Sequence, residues 1–248
     1  MRQKTTAELL AVDSWAYESA IVHGTRLLPT DPALDVAAGN FRHVPVLMGF
    51  THNESLSGMA SFYPMTEEDY SGYLEYFFGT DAETVQATYP SSAYSDPFYA
   101  LGDALNDSGV LGGGACMDIE LARQFSAEVP TYVYEFDDPS APIPTWVTAA
   151  PGFVLGSSHG SDEDYWWDRP FDTLAPLTAS QMGLAQQMVQ YLGAFAEQRA
   201  PRAPRLPHWP RLEPTHEQIL RFTPGAIAVR TDFTEAHRCE FWGSLGYL

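Results

Sequence analysis

Val44-Pro45-Val46-Leu47-Met48-Gly49-Phe50 runs directly into Thr51-His52-Asn53-Glu54-Ser55. The first seven residues form a continuous apolar run of strand length. Such runs are typical of strands buried on both faces of a parallel sheet. The polar loop that follows sits at the carboxyl end of the strand, where α/β sheets gather ligand-binding and catalytic groups. Glu54 is therefore the first candidate site residue, and the fold class expected from this stretch is α/β.

A second strand candidate, Gly152-Phe153-Val154-Leu155, leads into Gly156-Ser157-Ser158-His159-Gly160-Ser161-Asp162-Glu163-Asp164-Tyr165-Trp166-Trp167. Here a histidine stands among glycines and hydroxyls, with carboxylates and aromatics close behind. Histidine can shuttle a proton near neutral pH, small neighbours admit a substrate, and aromatics can wall an apolar pocket. The plain alternative is a polar loop at the end of a strand. A carboxylate on one strand end and a histidine on a later one make the acid–base half of a nucleophilic triad, in the order acid then histidine.

Outward from these two loops, the pattern alternates helix and strand. Thr66 can cap a helix with Asp69 three residues on, and Tyr70, Tyr73, Leu74, Phe77 and Phe78 follow at helical spacing. Asp81 begins a second short helix ending near Tyr89-Pro90. Ala115 to Phe125 is helical, with Cys116, Ile119, Ala122 and Phe125 near one face. Thr131-Tyr132-Val133-Tyr134-Glu135-Phe136 alternates and is rich in β formers, hence a strand. Ser180 to Arg199 is a long helix whose apolar stripe is Met182, Ala185, Met188, Val189, Leu192 and Phe195. A hairpin is expected over 218–229 with its turn at Pro224-Gly225, and a last helix over about Asp232 to Leu245. Nearer the start, Asp31 to Gly39 fits a short helix with Pro32 in its first turn. Residues 1–22 read as a short helix and a connection, because Leu9, Leu10, Trp15 and Tyr17 support no long helix.

Composition narrows the function classes. The 248 residues carry 13 Lys and Arg against 32 Asp and Glu, a formal charge of −19, which opposes binding to nucleic acid or anionic membrane. Apolar residues make up 45% of the chain, enough for a sizeable core. No apolar run reaches the roughly 18–20 residues of a membrane helix, and Glu8 interrupts the opening segment, which does not read as a signal peptide. The two cysteines, Cys116 and Cys239, are not a CxxC pair; they are two buried thiols or one long-range disulfide. No metal or organic cofactor is implied, since the histidines show no HExxH or similar spacing. Gly112-Gly113-Gly114 before a helix lacks the lysine of a phosphate loop.

Gly156-Ser157-Ser158-His159-Gly160 matches G-x-S-x-G, the nucleophile elbow. An elbow needs a helix immediately after it, and Ser161 to Pro170 is a poor helix with bulky groups and an early proline. Ser158 is therefore not expected to be the nucleophile.

Taken together, these motifs resemble the C-terminal half of a type-B carboxylesterase, the α/β-hydrolase group that includes the cholinesterases. Val44 to Ser55 resembles the family's Val-Pro-hydrophobic-Gly-x-x-x-Asp-Glu-Gly segment, which carries the triad acid onto Glu54. Gly156 to Gly160 resembles the segment around the triad histidine, which falls on His159. Asp162 and Tyr165-Trp166-Trp167 fit the family's acidic residue and aromatic run after that histidine. His208-Trp209-Pro210 resembles its Trp-Pro after the long helix, and His23 to Pro29 its Asp-Gly-x-x-Leu-Pro. Cys239-Glu240-Phe241-Trp242 resembles its Cys-x-Phe-Trp. Asn53 and Ser55 depart from the usual Asp and Gly, and Glu163 stands where an aliphatic residue is usual.

The resemblance implies a single partial domain over residues 1–248: the C-terminal portion of an α/β-hydrolase sheet with packed helices and a helical insertion after Glu54. It implies catalytic roles for Glu54 and His159, with Tyr165, Trp166 and Trp167 as substrate-pocket candidates. It implies a Cys116–Cys239 disulfide, worth roughly 4–5 kcal/mol in the chain-entropy model. The parent would be exported if that bridge forms, and cytoplasmic otherwise. The family's Gly-Glu-Ser-Ala-Gly elbow and its oxyanion loop belong to an N-terminal half that this chain lacks, so Met1 reads as an internal start or a truncation. The expected substrate is a small carboxylic ester, the expected partner the missing half, and the chain alone is expected to be inactive. A non-catalytic, adhesion-type binding module on the same fold is the alternative, and retention of both Glu54 and His159 favours the enzyme.

Overall fold

The computed structural model describes residues 4–10, 22–148, 150–167 and 173–248. Trp15, Tyr17, Asp168, Arg169 and Pro170 lie outside the described residues. Contacts divide the chain into two units, Met1–Arg42 and His43–Leu248. In the first, α1 spans Thr6–Leu10 and α2 spans Pro32–Ala37. Pro32 opens the first turn of α2, as the sequence leads one to expect, and Asp31 caps it by accepting from the Ala33 N–H at 2.9 Å.

The second unit is built on one mixed sheet of four strands in the order β1-β2-β3-β4. β1 (Val46–Thr51) and β2 (Thr131–Phe136) are parallel, β2 and β3 (Ile219–Thr223) are parallel, and β3 pairs antiparallel with β4 (Ala226–Arg230). Every residue of β2 is buried, whereas β1 is mostly half-buried, and among the described residues no strand pairs with its outer edge. The period of two sorts the side chains between two cores. Tyr132, Tyr134 and Phe136 face one core with Leu220 and Phe222; Val133 faces the other with Phe50 and Ile219. Gly49 lies opposite Tyr134, and a Cβ there would land in the tyrosine ring.

The long connection from β1 to β2 carries α3 (Leu56–Met59), α4 (Glu67–Phe78), α5 (Ala82–Thr88), α6 (Pro97–Ser108) and α7 (Ala115–Glu128). This is the expected helical insertion. Thr66 and Asp69 form a reciprocal capping box on α4, and Tyr70, Leu74 and Phe78 are buried. The connection from β2 to β3 carries α8 (Glu163–Trp166) and α9 (Ala179–Gln198), and α10 (Phe233–Ala236) and α11 (Cys239–Leu245) close the chain. Cys116 at the start of α7 and Cys239 at the start of α11 form a disulfide across 123 residues of sequence.

Three expectations need correction. Gly152 to Leu155 is not a strand: Gly152 turns at φ 91°, Phe153 and Leu155 enter the core, and the Val154 N–H donates to the Tyr99 hydroxyl rather than to a ladder partner. The buried stripe of α9 is Gln181, Leu184, Met188, Tyr191 and Ala194, while Met182 and Val189 are exposed. Long-range hydrogen bonds set that rotation: Gln181 donates to Asp138 at 2.7 Å and the Tyr191 hydroxyl to the Pro207 carbonyl at 2.7 Å. The closing helix is broken in two at Arg238, which adopts φ 52°. That left-handed residue places its guanidinium 4.3 Å from the Tyr89 ring, and the break separates buried His237 from the disulfide at Cys239.

Candidate active site

Three residues beyond β1, the Glu54 carboxylate is hydrogen-bonded to Nδ1 of His159 and accepts from the Thr51 hydroxyl. The two loops that carry the pair are laced together. The Asn53 N–H donates to the Ser157 carbonyl at 2.8 Å, the Ser157 N–H to Asn53 Oδ1 at 3.1 Å, and the His159 N–H to the Glu54 carbonyl at 3.1 Å. From below, Asn106 at the end of α6 accepts the Glu54 N–H at 3.2 Å and donates to the His52 carbonyl at 3.2 Å. The His159 side chain is 76% exposed, and no hydrogen bond to its Nε2 occurs among the described residues.

The pair is polarised. Burial pushes the Glu54 carboxyl up, but hydrogen bonds from His159 and Thr51 outweigh it and hold Glu54 below its ordinary value. The hydrogen bond to Glu54 raises His159 above the ordinary histidine range against partial burial, helped by the nearby Glu54, Asp162 and Glu163 charges. Glu54 is thus a committed carboxylate, and His159 readily holds a proton.

Both residues line an open cleft of about 450 Å³ whose walls include Gly112 to Gly114, Asp118 and Trp146. Asp118 and Trp146 escaped the sequence reading. Burial, and then the charge of Glu54, push Asp118 up to about 6, so this wall of the cleft titrates near neutrality. Its only sequence signal is an acid in the first turn of a helix behind a glycine run.

The aromatic run is placed differently from the pair. Tyr165 and Trp166 are buried in the Tyr134 core, where the Tyr165 hydroxyl donates to Asp138 and the Trp166 indole donates to the Tyr134 hydroxyl at 3.1 Å. Neither lines the Glu54–His159 cleft. Trp167 is half exposed and lines a separate surface groove with Met182 and Val189 of α9. Ser158 is buried, its Oγ has no hydrogen-bond partner among the described residues, and the helix that comes next, α8, is four residues long, so the elbow geometry is absent.

A second ionic cluster lies beneath the acid loop. His52 Nδ1 and His237 Nε2 approach the same oxygen of Glu135 at 2.7 and 3.2 Å, Arg230 pairs with the other oxygen, and His237 Nδ1 meets Asp107 at 2.6 Å. His52, Glu135 and His237 offer atoms within 4.8 Å of one another, the donor set of a metal site. The surroundings argue against that use. Burial lowers the His237 pKa, but hydrogen bonds to Asp107 and Glu135 outweigh it and bring it up to about 9. The ligand atoms already have protein partners: Glu135 also takes Arg230 on its other oxygen, and His237 Nδ1 is engaged by Asp107. The residues fit a closed ion network better than a cation.

The fold and the site define a class: an α/β protein with a carboxylate on the loop after β1 paired to a histidine in the long connection between β2 and β3. The sequence model of the carboxylesterase family matches residues 1–242, and the chain belongs to that family. Carboxylesterase 1C of Rattus norvegicus is 23% identical over 275 residues, covering 99% of this chain and 46% of that protein. Cocaine esterase of Homo sapiens is 23% identical over 276 residues, covering 98% and 44%. Fumonisin B1 esterase of Sphingopyxis macrogoltabida is 26% identical over 190 residues, covering 71% and 32%. The chain thus spans less than half the length of these relatives. No helix among the described residues is long and apolar enough to cross a membrane.

Proposed function

We propose that this chain is the acid–histidine part of a serine carboxylester hydrolase, one partial domain over residues 1–248. The observation that carries the reading is the hydrogen bond between Glu54 and Nδ1 of His159, with both side chains lining the cleft and no hydrogen bond to Nε2 among the described residues. In the proposed reaction a serine outside this chain attacks the carbonyl of a small carboxylic ester. His159 Nε2 takes the hydroxyl proton as the serine–acyl bond forms, then passes it to the departing alkoxide. Water repeats the sequence on the acyl-enzyme and releases the acid. Glu54 holds the imidazole in the tautomer with the proton on Nδ1 and stabilises the imidazolium. Its lowered pKa supports that role, because the acid stays ionised throughout.

The nucleophile is assigned to the half of the fold that precedes this chain. Two observations support the assignment: the relatives are more than twice as long as the matched region, and the outer edge of β1, beside the Glu54 loop, has no ladder partner among the described residues. A paired acid and histidine also favours an enzyme over an adhesion-type binding module, which has no use for their alignment.

The purified 248-residue chain is expected to show no nitrophenyl-ester turnover above the buffer rate, and Ser158→Ala to change nothing. Robust turnover that Ser158→Ala abolishes would make Ser158 the nucleophile and overturn the assignment.

A further inference from the structure

Among the three hydrogen bonds that lace the acid loop to the histidine loop, two join main-chain atoms and are open to any sequence. The third is specific: Asn53 Oδ1 accepts the N–H of Ser157, a residue with no exposed surface. Together with the Asn53 N–H to Ser157 carbonyl bond it closes a small ring between the loops. Glu54 is the next residue on one side of that ring and His159 lies two residues along on the other. The partner loop is shaped for the amide. Gly156 sits at φ 62°, and a Cβ there would occupy the place of the Asn53 amide group. A side chain at 156 and the amide at 53 exclude each other.

We propose that Asn53 is the positioning residue of the Glu54–His159 pair, its side-chain amide acting as the spacer that sets how the acid loop faces the histidine loop. The proposal rests on the functional reading of that pair. Asn106 acts on the other side of the acid loop, which it ties to α6, and makes no hydrogen bond to residues 156–161. Losing the Asn53 acceptor leaves a buried N–H unsatisfied and lets the loops separate, so the hydrogen bond that raises the His159 pKa weakens.

The test is an NMR titration of His159 in the 248-residue chain, with the melting temperature recorded for each variant. Glu54→Gln tests the underlying reading: it must bring the His159 pKa down, and an unchanged value would remove the pair itself, whatever Asn53 does. Given that result, Asn53→Ala is expected to lower the His159 pKa by about half a unit or more. Asn53→Asp keeps an oxygen acceptor in the same place and adds a negative charge, so its His159 pKa is expected at or above the wild-type value. Tyr191→Phe removes a hydrogen bond to the Pro207 carbonyl, which involves neither loop, and is expected to lower the melting temperature without moving the titration. Should Asn53→Ala not fold, Asn53→Ser, whose hydroxyl is one bond short, serves the same comparison. An Asn53→Ala or Asn53→Ser chain that melts earlier but titrates like wild type overturns the proposal. So does an Asn53→Asp chain whose His159 falls as low as in Asn53→Ala.

Discussion

In a polypeptide that joins this chain to a preceding half bearing a Gly-x-Ser-x-Gly serine, His159→Ala is expected to lower kcat for ester hydrolysis by about 10⁴-fold or more. The size follows from the role. Without a base, the serine hydroxyl attacks as a neutral alcohol, and what remains is the stabilisation of the oxyanion and the binding of the ester. Because Nε2 handles a proton and does not bind the ester, the loss is expected in kcat with KM little changed. Glu54→Ala is expected to cost a comparable factor, since the imidazole loses both its orientation and the charge that stabilises its protonated form. The double variant is expected to be no worse than His159→Ala, because the two residues act as one unit. Steady-state kinetics on a nitrophenyl ester check all three; additive losses would assign Glu54 a separate function.

His237→Ala is expected to destabilise the chain by about 3–5 kcal/mol, with no residue of the cleft touched. His237 is 4% exposed and bridges Asp107 and Glu135, both buried. Glu135 also faces His52 and Arg230, and Asp107 faces Tyr89, Asn106 and Arg238, so the network draws on β2, β4, α6, the loop after β1 and the break before α11. Removing the central cation leaves Asp107 and Glu135 close together in the core with too little positive charge. A pH dependence follows. The folded pKa of His237 is raised to about 9 from an ordinary value near 6.5. A raised pKa contributes stability that is complete below about pH 6.5 and is lost as pH rises through about 9. The contribution is on the order of 3 kcal/mol. Glu135 works at the other end: its pKa is lowered, so its share is complete above about pH 4.5 and is lost in stronger acid. Urea unfolding at a series of pH values is expected to show stability declining between pH 6.5 and 9 in wild type and a flatter profile in His237→Ala. A wild-type profile flat across that range would mean that His237 is neutral in the folded chain.

What the sequence reading reached, and what it missed, divides along one physical line. β1, β2, the β3–β4 hairpin, the first-turn proline of α2 and the α4 capping box are local: a run, an alternation, a turn residue or a cap three residues from its partner. Glu54 and His159 were legible for a related reason. Glu54 stands on the loop that follows β1, whereas the strand expected before His159 does not form, so the pairing followed from the order of the two residues and from the family likeness. The misses depend on residues far apart in the chain. The rotation of α9 is set by Asp138 and Pro207, which no helical period at 180–199 reveals. The break at Arg238 answers to Asp107 and Tyr89, more than a hundred residues away. Tyr165 and Trp166 carry the same signal in sequence whether they line a pocket or fill a core, and only Asp138 and Tyr134 decide between the two. The His52–Glu135–His237 network joins three segments whose meeting no local pattern announces.

Every role proposed for this chain depends on the Glu54–His159 pair, and the Nδ1 proton of His159 is where that pair can be observed. In the ¹H–¹⁵N spectrum of the chain, selectively labelled at histidine, that proton is expected as a strongly downfield resonance. The ring is expected to titrate above the ordinary histidine pKa, and in Glu54→Gln the downfield signal should vanish and the pKa fall. A His159 ring that titrates at its ordinary value, shows no downfield proton and ignores Glu54→Gln would contradict the pairing.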